Sequence, residues 1–585
     1  MWQRRDQSRC EVLGPSKQVS TRKLGLAVLL VTLAFSGAHA AAPPPVTSDK
    51  AVVASAHPLA TEVGRAILAA GGNAVDAAVA VSFALSVVEP WSSGLGGGAF
   101  AVVHVDGVTR TFDMRETAPA AATRDMFLKN GEFVPSESTT TARAAAIPGL
   151  VRGMAELHRR YGKLPFADVV APALALAKNG FPVSRLLNGA LGPFVDRFSS
   201  EAKAIFLPGG KVPAVGQILV QKDLASTLER IAKTRGEDFY VGETAKELVR
   251  AVKAAGGVWE LADLATYVTK ERPPVSGSFR EYEVRSMGPP SSGGLLIVQM
   301  LGVLERLPAC EGKGCARAGE VWNSADRIHT LAEVMKRAFA ARAIGLADPD
   351  FFAVDDASFV GPATLDRLAR EVARARRATP SSKLSKLVVK PDRPHTTHFE
   401  IVTAAGDGIA VTQTINLRFG NGQVAGSTGV LLNNEMDDFA AKPGAPNAFG
   451  LVGDAANAIA PGKRPLSSMT PTLVVKNGKV VGAFGSPGGS RIITTTLQVL
   501  LHVIDDHMNP SEALAAPRVH HQWYPETLSV EPMLLSPEVR AALEKRGHVL
   551  EDSGLMGNAM AIWRRADGVL EGAADPRWEG TAAGL

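Results

Sequence analysis

The sequence predicts an α+β fold in which helices are layered on sheets, and three observations predict it. Residues 58–89 are Ala/Val-rich and almost continuously apolar, the pattern of buried helix. The middle of the chain, from about 140 to 275, keeps a helical period. After about residue 394 the character changes to alternating strands joined by Gly-containing turns. At 585 residues the chain exceeds one typical core, so two closely packed regions or one large domain are expected.

The elements follow in order. Residues 1–40 read as an export signal: Arg22-Lys23 precedes the apolar run 24–35, and Ala38-His39-Ala40 is an A-x-A cleavage site before AAPPP. That run is short for a membrane span, with an uncleaved anchor as the alternative reading. These 40 residues hold a surplus of +4 out of the whole chain's +5, which leaves the remainder nearly neutral. A nucleic-acid partner is therefore unsupported despite the pI of about 9.0. The expected location is periplasmic or secreted. Of the cysteines, Cys10 leaves with the signal, while Cys310 and Cys315 in CEGKGC are spaced for a local disulfide in an oxidising compartment. They have no further Cys or His nearby to make a metal site.

The stretch 58–89 divides into two helices at Gly71-Gly72, with Asn73 capping the second. SGLGGGAF (93–100) lacks the Gly-Lys-Ser/Thr ending of a phosphate loop, and its glycines are read as allowing tight backbone turns against other elements. Residues 99–116 form a hairpin turning at Asp106-Gly107 and delivering Arg115 and Glu116 to the strand's end. Helices are expected over about 294–305 and 325–346, and residues 372–394 read as an exposed basic linker. Then THFEIVTA and IAVTQTINL make a second hairpin, with Thr412, Thr414 and Asn416 on one face. Asn477-Gly478 turns a third, and 494–508 is a helix.

Thr396 stands at the head of the second hairpin. A threonine that begins a chain has its own base, because its free α-amine lies beside its Oγ. A cut at His395-Thr396 would create that arrangement, which would make the chain a self-cleaving precursor. An acyl-transfer site also needs an oxyanion hole, for which Gly488 and Gly489 in GSPGGSR offer unobstructed N–H groups. Arg115 is a candidate carboxylate anchor, and Ser467 and Ser468 are candidate hydroxyl donors. NNEMDDF gathers Glu435, Asp437 and Asp438; such crowding otherwise signals a solvated turn or a calcium loop, but no EF-hand spacing follows.

Together these segments resemble the γ-glutamyltranspeptidases, which are N-terminal-nucleophile hydrolases. HPLATEVGRAILAAGGNAVDAAVAV, SGLGGGAF, DMRETAPAAA, PPSSGG, TTHFEIV, NNEMDDFAAKPG, GKRPLSSMTPT and GSPGGSR carry the resemblance in order from about 50 to 580. It implies a four-layered αββα sandwich built from a large fragment (41–395) and a small one (396–585) that stay paired. It implies Thr396 as autoprocessing residue and nucleophile, Thr414 as its orienting partner, and Gly488 and Gly489 as the oxyanion hole. Arg115, Ser467 and Ser468 would hold the donor's α-carboxylate, and Asn416, Glu435 and Asp438 its α-ammonium, at separate positions. Glutathione or another γ-glutamyl amide would be the donor, with water, an amino acid or a dipeptide as acceptor; no metal or cofactor is implied. An acylase for glutaryl-type β-lactam side chains and a binding homologue that never cleaves are the alternatives. Many bacterial members carry Tyr where this chain has Phe449, so the latching of a lid over the site is in question.

Overall fold

Two seven-stranded sheets, each antiparallel throughout, carry the architecture of the computed structural model. It describes residues 42–307, 322–384 and 396–585, apart from Pro443, Pro446 and Val452. The leader with its cut after Ala40, Cys310 with Cys315, residues 385–394 and His395 lie outside the described residues.

The strands in chain order are β1 (Val46–Ser48), β2 (Ala51–Ser55), β3 (Gly98–Val105), β4 (Val108–Met114), β5 (Lys270–Arg272), β6 (Val275–Phe279) and β7 (Tyr282–Ser286). They continue as β8 (Thr397–Thr403), β9 (Gly408–Thr414), β10 (Thr472–Lys476), β11 (Lys479–Gly485), β12 (Met560–Arg564), β13 (Leu570–Ala574) and β14 (Thr581–Gly584). One sheet runs β1-β13-β12-β11-β10-β7-β6, the other β14-β2-β8-β9-β3-β4-β5. The helices that cover them include α1 (Pro58–Ala69), α2 (Ala74–Val88), α3 (Leu150–Tyr161), α4 (Phe166–Asn179), α5 (Lys222–Thr234), α6 (Gly293–Arg306), α7 (Ala325–Gly345) and α8 (Arg491–Ile504).

Alternation along the strands builds the four αββα layers. In β10, Leu473 and Val475 join a core with Ile401 and Ile409 of the other sheet, whereas Val474 packs with Leu296, Met335 and Leu500 of α6, α7 and α8. A sheet buried on both faces has apolar residues on both, which is why β10 reads TLVVK. On the far side α1 to α5 share a core with the β8–β9 sheet. Every residue of α2 is buried, as an all-round apolar helix demands. Asn73 caps it in a reciprocal box: its Oδ1 accepts from Asp76 N at 2.9 Å, and Asp76 Oδ2 accepts from Asn73 N at 2.9 Å.

The hairpin turns behave as their residues predict. Asp106 and Gly107 have φ of 52° and 76°, and Asn477 and Gly478 have 53° and 70°, both residues of each pair in the left-handed region. One expectation needs correction. The helix expected at 494–508 begins at Arg491 and ends at Ile504, because the preceding glycine turn leads straight into it. The linker expected at 372–394 is mostly exposed where it is described, with two buried anchor points: Val372 on the inner face of the helix Pro362–Arg374, and Ser381, which is fully buried. Thr379 N donates to Glu333 Oε1 at 2.8 Å and the Ser381 backbone donates to Glu526, so distant carboxylates draw this charged segment onto the fold.

Candidate active site

Thr396 immediately precedes β8, and Thr414 ends β9, its hairpin partner, so the pairing brings the two hydroxyls to 3.4 Å. Thr414 Oγ accepts from Asn416 N at 2.8 Å, which orients it from behind. The glycines of SGLGGGAF explain how this strand end is held. A Cβ on Gly97 would lie 1.9 Å from the Thr414 carbonyl oxygen, and one on Gly96 would lie 2.1 Å from that of Leu431. No side chain fits at either position, and backbone packs directly on backbone beneath the threonines.

Thr396 opens onto a cavity that is lined by every expected site residue except Gly488: Thr396, Thr414, Asn416, Arg115, Glu435, Asp438, Ser467, Ser468 and Gly489. Gly488 sits one residue back in the turn from β11 into α8, with φ of 137° followed by 55° at Gly489. Their carbonyls accept from Arg491 N (3.0 Å) and Ile492 N (3.1 Å). No hydrogen bond among the described residues uses the N–H of either glycine. Two uncommitted N–H groups at the N-terminus of a fourteen-residue helix make a locus favourable to negative charge.

Arg115 reaches the cavity from the end of β4 and is 1% exposed. It donates through Nη1 to Glu435, through Nη2 to Asp438 Oδ2 at 2.5 Å, and through Nε to Pro465 O at 3.2 Å. The two signs of charge, expected apart, are thus in direct contact. Burial works against the arginine's charge, but Glu435, Asp438 and Glu116 outweigh it and hold its pKa above the usual range. Burial likewise pushes Glu435 well up and Asp438 up, with Arg115 opposing in both. The solvated-turn reading of NNEMDDF therefore fails, since Glu435 and Asp437 are buried.

Asn416 has φ of 73°, a left-handed conformation that Asn tolerates better than most residues and that cavities often preserve for function. Its Nδ2 donates to Asn434 O at 2.8 Å. Its Oδ1 and Glu435 Oε2 are buried and have no hydrogen-bond partner among the described residues. Buried acceptors without donors are uncommon and need an explanation.

The serine pair is pinned against the loop before α6: Ser467 N donates to Pro290 O and Ser292 N to Ser467 O, both at 2.8 Å. Phe449 lines the cavity wall. Its segment is tied without a phenolic hydroxyl: Phe449 N and Leu451 N donate to Asn447 Oδ1 at 3.0 Å, and Asn447 Nδ2 donates to Asp438 Oδ1 at 2.9 Å. Two residues escaped sequence reasoning. Glu116, fully buried, stands 3.7 Å from Arg115. Arg342 of α7 lines the cavity beside Ser468. Glu116 was signalled only by adjacency to Arg115, and Arg342 by nothing local.

A strand-heading threonine in the inner layers of an αββα sandwich is the architecture of the N-terminal-nucleophile hydrolases. The γ-glutamyltranspeptidase family profile matches residues 60–585. The chain is 42% identical over 583 residues to the glutathione hydrolase proenzyme of Escherichia coli K12, covering 96% of this chain and 98% of that one. It is 42% identical over 575 residues to the glutathione hydrolase proenzyme of Pseudomonas aeruginosa PAO1, with the same coverage of 96% and 98%. Among solved structures, the cephalosporin acylase of Bacillus halodurans superposes with a TM-score of 0.79 at 28% identity, over 93% of this chain and 97% of that one. The chain belongs to the γ-glutamyltranspeptidase family and is an enzyme.

Proposed function

We propose that the chain is a proenzyme cut at His395-Thr396, and that its mature form transfers and hydrolyses the γ-glutamyl group of glutathione and similar amides. The observation that carries this reading is the pair of acceptors without a partner among the described residues, Asn416 Oδ1 and Glu435 Oε2, in a cavity that also holds Arg115, Ser467 and Ser468. An α-ammonium supplies the missing donors, and the adjoining α-carboxylate competes with Glu435 and Asp438 for Arg115. With both charges of the α-carbon held there, the γ-carbonyl is directed at Thr396.

The freed Thr396 amine takes the Oγ proton, and Oγ attacks the γ-carbonyl carbon. The Gly488 and Gly489 N–H groups receive the oxyanion. As the oxyanion collapses, the C–N bond breaks and the leaving amine takes the proton. Water then attacks the γ-glutamyl ester and releases glutamate, or an amino acid or dipeptide attacks it and forms a new amide. Fragments 41–395 and 396–585 remain together as the working heterodimer. Removal of residues 1–40 and export belong to the same proposal, on the strength of the leader's pattern.

The test compares a γ-glutamyl anilide with a glutaryl anilide, which lacks the α-ammonium, using purified protein and the Thr396→Ala variant. Two fragments, the smaller starting at Thr396, with γ-glutamyl turnover at least about 100-fold above glutaryl, are expected. That margin is what leaving two buried acceptors unpaired implies. Preference for the glutaryl compound would instead favour the acylase reading. A single uncut wild-type chain would remove the amine base and with it the mechanism.

A further inference from the structure

We propose that Arg342 is a positioning residue for the donor's α-carboxylate: it sets the Ser468 hydroxyl to donate into the cavity and supplies a second positive charge behind it. This rests on the γ-glutamyl reading above. Arg342 projects from α7, is 4% exposed, and donates through Nε to Ser292 Oγ at 2.9 Å and through Nη2 to Ser468 Oγ at 3.3 Å. Ser292 Oγ passes its own proton to Ser467 O at 2.7 Å. One guanidinium therefore braces both cavity serines, Ser468 directly and Ser467 through Ser292.

A hydroxyl has one proton and two acceptor sites. Ser468 Oγ accepts from Arg342, and Ser467 Oγ accepts from Met469 N at 3.1 Å. With an oxygen lone pair of each engaged from behind, each proton is available on the cavity side, where a carboxylate can take it. Donors polarised by a cation make the stronger, charge-assisted kind of bond.

Arg342 also differs from Arg115 in its company. Arg115 bonds two carboxylates, whereas Arg342 makes no ion pair among the described residues. Its hydrogen bonds go to hydroxyls, and the Asp438 carboxylate that favours its charge is already bonded to Arg115, so this buried guanidinium gains from an anion that joins it. Burial lowers its pKa to about 10, which leaves it protonated at neutral pH. The ligand's carboxylate is then the anion that completes the pair.

The experiment measures kcat and KM for two donors, a γ-glutamyl anilide and a 4-aminobutyryl anilide, the latter being the same donor without its carboxylate. Wild type is expected to prefer the γ-glutamyl donor strongly; if it does not, the substrate reading fails, and this proposal with it. In Arg342→Met, KM for the γ-glutamyl donor should rise about 10- to 100-fold, the range for losing a charge-assisted bond. The 4-aminobutyryl donor should change far less, and Arg342→Lys should recover part of the loss. A merely structural role would lower both donors in proportion, and that result, or an unmoved KM, overturns the proposal. Should Arg342→Met accumulate uncut, Ser292→Ala keeps the guanidinium but removes its Nε acceptor. A raised γ-glutamyl KM with little change for the other donor supports the proposal there, and unchanged kinetics overturn it.

Discussion

Glu116, Glu435 and Asp438 crowd around a single guanidinium at Arg115, and that imbalance gives the site its own pH response. Burial pushes Glu116 up to about 7 from its ordinary 4.5, with Arg115 acting against the shift. Between those values the folded protein holds a proton that the unfolded chain has released, so this carboxyl makes stability fall as pH rises through the window. The same titration acts on binding. Above about pH 7 a charged Glu116 draws on Arg115 and weakens its hold on a carboxylate. The donor KM should therefore rise between pH 6.5 and 8 in wild type and stay nearly flat in Glu116→Gln, read from initial rates with a γ-glutamyl anilide. Glu116 and Arg342 also mark the limit of what the chain order displays. Thr396, Arg115 and Gly489 sit in compact motifs whose residue types announce the chemistry. Arg342 is one of several arginines on a helix, and only packing α7 against the Ser467-Ser468 loop distinguishes it.

At the scale of elements, the glycine run before β3 acts as a spacer of zero width. Gly97→Ala would put a Cβ 1.9 Å from the Thr414 carbonyl oxygen, so the end of β9 must move. A cost of about 1–3 kcal/mol in stability is expected for such overpacking. The larger effect is on the chemistry, because a displacement near 1 Å in a reacting group costs about 100-fold in rate. Denaturation midpoint and kcat check the two figures separately, and retention of wild-type kcat would show that the strand end tolerates the shift. The helices, and the hairpins at Asp106-Gly107 and Asn477-Gly478, were legible because their period and turn residues are local properties. The segment from Val372 to Ser381 is mostly exposed, as its composition implies, but its anchor points are not local properties. The carboxylates that tie down Thr379 and Ser381, Glu333 and Glu526, come from elsewhere in the chain.

Across the whole molecule, the two proposed fragments alternate within each sheet. In one, β8 and β9 of the small fragment lie between β2 and β3 of the large; in the other, β10 to β13 lie between β1 and β7. After cleavage the fragments should therefore co-elute as one species of precursor size on gel filtration and separate only on a denaturing gel. Two native peaks would show that the sheets do not hold them.

This weave has a temporal consequence. While the chain is continuous, every strand that must be inserted is tethered to its neighbours, and assembly is unimolecular. A cut at residue 396 erases that tether but leaves the finished sheets intact. A mature enzyme cut there would persist through the height of its unfolding barrier, and its separated halves would face a concentration-dependent search that the continuous chain does not. On the proposed cleavage, the continuity of the chain would serve folding once, and maturation would exchange the capacity to refold for the free amine of Thr396.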